Sequence, residues 1–214
     1  MPRVRRVRQH VNPFNEKYRT PAVPPDWSQV YTNPQQPLHL DIGCGKGYFL
    51  REMAEQVPEW NFLGLEIRQP LVEQALAWRD RARFSNLHFI FCNANNSLRP
   101  LLESWEPPCP LQQVSIQFPD PWFKQRHQKR RVVQPQLVEV LAEFLPADGW
   151  VLLQSDIEEV AVEMRDRFAS HAGFEQREKG WLAENPLPAQ TDRERVTLEK
   201  GNPIYRALFT RCAG

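Results

Sequence analysis

Leu38-His39-Leu40-Asp41-Ile42 runs directly into Gly43-Cys44-Gly45-Lys46-Gly47, and Tyr48 to Val57 (YFLREMAEQV) follows with helical character. A short apolar strand that turns through glycines into a helix is the first half of a βαβ unit. Such units are right-handed and build sheets whose strands are mostly parallel. The rest of the chain repeats the alternation. Phe62 to Ile67 reads as a second strand, and Pro70 suits the first turn of a helix carrying Leu71, Val72, Ala75 and Leu76 at helical spacing. Leu87 to Cys92 and Val114 to Phe118 read as the third and fourth strands. Leu137, Val138, Leu141, Phe144 and Leu145 mark one apolar helical face. Trp150 to Gln154 is a buried fifth strand, and Ile157, Val160, Ala161, Met164 and Phe168 mark the next helix. A final strand pair falls at Phe174 to Lys179 and Tyr205 to Arg211, with loop between them around Pro186 and Pro188. The expected fold is α/β and Rossmann-like, a mostly parallel central sheet with helices on both faces.

Ahead of the first strand, residues 1–37 are basic and proline-rich, with Arg3, Arg5, Arg6, Arg8, Lys17 and Arg19. They predict an extended arm with little regular structure, leaving residues 38–214 as the main domain. A second basic cluster follows the fourth strand: Lys124, Arg126, His127, Lys129, Arg130 and Arg131. The formal net charge is only +1, so two local basic patches point to a polyanion partner rather than a generally adhesive surface. Cys44, Cys92, Cys109 and Cys212 form no CxxC pair and no zinc spacing, which predicts a reduced, cytoplasmic protein without a metal. No apolar run is long enough for a membrane span, and the N-terminus lacks the apolar stretch of a signal peptide.

In a sheet of this kind ligands bind beyond the carboxyl ends of the strands, where the polar residues of interest fall. Gly43 and Gly45 permit a tight turn and close approach of a ligand to the backbone. Glu66, at the end of the second strand, is placed to accept from both hydroxyls of a ribose. A dinucleotide site uses the same logic with GxGxxG, but here the spacing is GxGxG with an acid before it. Asp41 would repel a pyrophosphate and attract the sulfonium and amino groups of S-adenosylmethionine. Asn93, closing the third strand, is read either as a partner for adenine or as a turn residue in Asn93-Ala94-Asn95-Asn96. Past the fourth strand, Pro119-Asp120-Pro121 holds a carboxylate on restricted backbone. Trp122 beside it is either a stacking face for a base or a core side chain.

With PDPWFKQRHQKRR at 119–131, DIGCGKG at 41–47 and GLEI at 64–67, the chain resembles the TrmB-type tRNA (guanine-N7-)-methyltransferases over nearly its whole length. The resemblance implies a class I S-adenosylmethionine-dependent enzyme that methylates N7 of a guanine in the tRNA variable loop. By the same resemblance Asp41, Glu66 and Asn93, with Gly43 and Gly45, contact the cofactor, and Asp120 is the central acid of both cofactor and catalytic sites. Lys124, Asp156 and the segment Thr191-Asp192-Arg193-Glu194 would touch the substrate. Asp156 has a second reading, as the start of the helix that follows. The sequence departs from the family pattern at Asp41, where a glutamate is usual, at Asn93, where an aspartate is common, and at Phe123, where a proline or histidine is frequent. The expected partner is tRNA, with neither membrane nor metal, and the enzyme is expected as a monomer or homodimer. The competing readings are a class I methyltransferase of another RNA and an inactive RNA-binding homologue.

Overall fold

The computed structural model describes residues 11–212; Arg3, Arg5, Arg6 and Arg8 of the basic first segment lie outside the described residues. Seven strands form one sheet: β1 (Leu38–Ile42), β2 (Asn61–Glu66), β3 (Leu87–Phe91), β4 (Leu111–Gln117), β5 (Trp150–Ser155), β6 (Phe174–Gln176) and β7 (Tyr205–Arg211). Their order is β3-β2-β1-β4-β5-β7-β6. Strands β1 to β5 pair in parallel, and β7 runs antiparallel to both β5 and β6. The helices are α1 (Trp27–Val30), α2 (Tyr48–Gln56), α3 (Gln69–Ala82), α4 (Ala94–Glu103), α5 (Pro135–Phe144), α6 (Glu158–Ala169) and α7 (Asp192–Glu199).

Every residue of β1 and β2 is buried, as expected of parallel strands covered on both faces. On one face Phe49, Leu50 and Met53 of α2 and Val72 and Ala75 of α3 pack against Phe62, Phe89 and Leu152. On the other, Leu98 and Leu101 of α4, Leu137 and Leu141 of α5 and Val160 and Met164 of α6 cover Leu40, Leu63, Val114 and Leu153. β2 and β4 flank β1 on opposite sides, so the chain's direction of growth reverses beside β1. That reversal opens a crevice at the strands' carboxyl ends.

Several segments differ from the sequence expectation, among them β6, which ends at Gln176 rather than Lys179. The stretch between β6 and β7 contains α7, whose sequence DRERVTLE buries only Glu194 and Thr197, so it has no apolar stripe for a period to reveal. Asn93 to Asn96, read in part as a turn, opens α4, where Pro100 interrupts an otherwise helical pattern. Among the described residues before β1, the regular structure is a 3₁₀ turn at Glu16–Tyr18 and the single turn of α1. Its later part is nevertheless anchored: Trp27 stacks on Trp105 with ring centroids 4.3 Å apart. Tyr31 Oη donates to the Phe62 carbonyl at 3.0 Å.

Candidate active site

The glycine loop leaves β1 through three left-handed residues, with φ of +90° at Gly43, +59° at Gly45 and +76° at Gly47. Side chains other than glycine rarely adopt these angles. The amides of Gly43 and Cys44 both donate to the Leu65 carbonyl, at 2.8 and 3.1 Å, pinning the loop over β2. A Cβ on Gly43 would meet no atom within 4 Å. The space there belongs to a cleft lined by Gly43, Glu66, Arg68, Asn93, Asn95 and Asp120.

Glu66, 3% exposed, ends β2 in this cleft. Its carboxylate accepts from the amides of Gly45 and Arg68 and from Nε and NH2 of Arg68, each at 2.9 Å. Those four bonds use about all the lone pairs a carboxylate has. Any further donor to Glu66 would have to take a position that the Arg68 guanidinium holds. Asn93 caps α4 by accepting from the Asn95 amide (3.2 Å) and also lines the cleft. Its Nδ2 also donates to the Pro13 carbonyl at 3.4 Å, bringing the arm over the cleft.

Asp41 is buried in β1 and accepts from Ser115 Oγ at 2.6 Å and Gln117 Nε2 at 3.3 Å. Burial pushes its pKa up from 3.8 to about 6; the bonds from Ser115 and Gln117 oppose the rise, and the Glu66 carboxylate adds to it. Beyond Ser115, burial holds His39 neutral, with its pKa lowered to about 4. Burial also keeps Cys44 well above a free thiol's value and Cys92 up at about 12. Neither is a thiolate nucleophile at neutral pH.

A second cleft adjoins the first. Asp41, Gly43, Gly45, Asp120, Asp156, Thr191, Asp192 and Arg193 all line it, so the structure brings together most of the residues singled out in sequence. Asp120 and Gly43 line both clefts. The backbone around Asp120 is more constrained than two prolines require. Phe118 enters the segment at φ +48° and Trp122 leaves it at φ +43°, conformations that cost non-glycine residues on the order of 1–3 kcal/mol each and gather at functional sites. Two bonds hold the segment in place: the Phe118 amide to the Gln154 carbonyl (2.8 Å) and Arg131 Nε to the Pro121 carbonyl (2.7 Å). Trp122 lines the Glu66 cleft. The Arg130 guanidinium lies 4.9 Å from its ring centroid and His127 meets it edge-on. It is thus a wall of the first cleft rather than a core residue.

Thr191 caps α7 by accepting from the Glu194 amide at 3.1 Å. Asp156 accepts from Arg193 Nε at 2.9 Å, and Ile157 rather than Asp156 occupies the cap position of α6. Two residues expected to touch substrate line neither cleft. Lys124 is exposed at the head of the 3₁₀ segment Gln125–Arg130 and lines neither cleft. Glu194 is fully buried. Its carboxylate accepts from Arg206 at 2.8 Å, Asn185 at 2.8 Å and Gln154 at 3.1 Å. A carboxylate so occupied holds α7 to the sheet and does not reach a ligand. Sequence reasoning did not find Arg68 or Gln117; Arg68 stands directly after GLEI, and Gln117 closes β4 immediately before Phe118. Among the described residues no cluster of metal-ligating side chains occurs, and no helix is long and apolar enough to cross a membrane.

Residues 35–207 match a family described as putative methyltransferase. A tRNA (guanine-N(7)-)-methyltransferase of Trichormus variabilis is 60% identical over 207 residues, covering 96% of this chain and 96% of that protein. One of Microcystis aeruginosa is 58% identical over 205 residues, covering 95% and 97%. Among solved structures, the 16S rRNA methyltransferase KamB has a TM-score of 0.58 at 15% identity, covering 87% of this chain and 92% of that one. A likeness at that identity speaks for the fold alone, and the fold is that of the class I methyltransferases.

Proposed function

The chain belongs to the family of tRNA (guanine-N(7)-)-methyltransferases, and from that premise we propose that Asp120 orients the guanine it methylates. The enzyme transfers a methyl group from S-adenosylmethionine to N7 of guanine in tRNA. The observation that carries the assignment is that Asp120 lines both clefts. The Glu66 cleft takes the adenosine part of the cofactor, and the Asp41 end takes its cationic amino acid part. The cleft reaching Asp156, Thr191 and Arg193 takes the guanine. Residues 1–37 act as an arm on a catalytic domain of residues 38–214, without a metal ion, in the cytoplasm, as a monomer or homodimer.

Guanine N7 carries an in-plane lone pair and no proton, so no general base has to create the nucleophile. Bound S-adenosylmethionine supplies the methyl group: the N7 lone pair forms the new N–C bond as the C–S pair returns to sulfur. The protein orients the base, excludes water and accommodates positive charge moving onto the purine. The Asp120 carboxylate accepts from guanine N1–H and N2–H₂, which turns N7 toward the methyl and stabilises the cationic ring. Asp41 meets the cofactor's positive charge, and Glu66 its ribose. Nucleoside analysis of unmodified tRNA incubated with enzyme and S-adenosylmethionine tests this reading. 7-Methylguanosine is expected; a different methylated nucleoside, or none, overturns it.

Two further outcomes follow. Asp41 meets its cationic ligand best when ionised, so affinity for S-adenosylmethionine rises with pH through about 6. Calorimetry between pH 5 and 8 will show this step, and Asp41→Asn removes it; a step that survives the substitution contradicts the role. The stability sign is opposite. A raised folded pKa favours the protonated acid, so the stabilisation from Asp41 is complete below the unfolded value of 3.8 and is lost as pH rises through about 6. Lys124, exposed and one residue past the cleft-lining Phe123, meets an RNA phosphate. Lys124→Ala therefore reduces the slope of log K for tRNA against log salt by about 0.7–0.9; an unchanged slope argues against the contact.

A further inference from the structure

Large apolar side chains that remain exposed are informative when they gather. Six remain exposed among the described residues, and three of these are aromatic: Phe14, Tyr48 and Phe123. Tyr48 is 42% exposed and Phe123 is 67% exposed, and both line the cleft that also holds Asp120 and Asp156. They come from different elements, Tyr48 from the first residue of α2 and Phe123 from the loop after β4. Folding has therefore brought two uncovered rings to one mouth. Tyr48 stands beside a cation, with Lys46 Nζ 5.8 Å from its ring centroid, and the exposed Lys124 follows Phe123 directly in sequence. Arg193 lines the same mouth. An aromatic face beside a positive charge is what a nucleotide in a single strand needs, a surface for its base and a counter-charge for its phosphate.

We propose that Tyr48 and Phe123 are stacking platforms for the nucleotides on either side of the guanine that enters the Asp120 cleft. This inference rests on the guanine-methylation reading and assigns the RNA surface around that site. A base that presents N7 to a buried methyl donor must leave its stack, and its neighbours then lose a stacking face. The two rings replace those lost faces, one on each side of the gap. That lowers the cost of extracting the guanine and fixes the strand's path across the cleft. Lys46, Lys124 and Arg193 meet the phosphates between the stacked bases. The contact needs no particular base, since every base has a π-face, so specificity stays with Asp120.

Tyr48→Ala, Phe123→Ala and the aromatic-preserving Phe123→Tyr test the assignment. Base–aromatic stacking is worth about 1–3 kcal/mol per base, so each alanine variant is expected to raise the tRNA Kd and KM about 5- to 150-fold. KM is expected to rise more than kcat falls, with Phe123→Tyr near wild type. The S-adenosylmethionine Kd and the melting temperature should match wild type, which separates the effect from a damaged cofactor site or fold. A tRNA carrying 2-aminopurine next to the target guanine gives a direct signature. Its fluorescence, low while the base is stacked in free tRNA, is expected to stay low on binding wild-type enzyme and to rise with the variant that removes its platform. Unchanged tRNA affinity in both alanine variants overturns the proposal and leaves the rings as a patch for some other partner. A wild-type protein that binds S-adenosylmethionine but not tRNA would instead overturn the underlying reading.

Discussion

Asp120→Ala is expected to lower kcat by about 10²–10³-fold, the usual loss when one preorganised polar group at a developing charge is removed, while the Kd for S-adenosylmethionine changes several-fold at most. The asymmetry follows from position. Asp120 lines both clefts, but the cofactor keeps Glu66, Asp41 and the glycine loop in its absence. The guanine loses the acceptor for its N1–H and N2–H₂ edge, and the purine loses the anion that offsets its new charge. Asp120→Asn sharpens the test, because an amide of the same shape keeps one acceptor and removes the charge. If charge stabilisation dominates, the asparagine variant resembles the alanine one. Equal losses in kcat and cofactor affinity would make Asp120 a cofactor ligand before anything else.

Glu194→Gln is expected to act on stability first. Glu194 and the Arg206 side chain are 0% and 5% exposed and lie 2.8 Å apart. Neutralising one partner leaves the other charged and buried, which typically costs about 3–5 kcal/mol. For a chain of this size that is on the order of 10 °C in Tm. Loss of the bond also loosens α7, whose first turn carries Asp192 and Arg193 into the cleft lined by Asp120 and Asp156, so turnover is expected to fall as a consequence of misplacement. Scanning calorimetry separates the two accounts. A wild-type Tm with a raised tRNA KM would restore Glu194 as a direct substrate contact.

How far the sequence carried the fold can be seen element by element. β2 and β5 were legible because a strand buried on both faces is a short apolar run, as in Phe62 to Leu65 and Trp150 to Leu153, while β1 and β3 were read from mostly apolar runs that include His39, Asp41 and His88. The glycine loop was legible because left-handed backbone at positions 43, 45 and 47 demands glycine. α7 was not, since its burial is confined to a charged and a hydroxyl residue that periodicity counts as polar. The site divided in the same way. Glu66 and Asp120 announce themselves by standing at the end of a strand and just past one. The Arg68 guanidinium on Glu66 and the Gln117 bond to Asp41 are products of tertiary packing. Thr191 and Glu194 look equivalent in a four-residue segment, yet one turns toward the cleft and the other into the core. Only helix phase decides that.

The most direct measurement of the central claim compares two unmodified tRNA transcripts under single-turnover conditions with S-adenosylmethionine. One carries guanine at the variable-loop target and the other a different base there, and both are digested for nucleoside analysis. The account predicts about one 7-methylguanosine per molecule of the first transcript and none in the second. Equal methylation of both transcripts would contradict it.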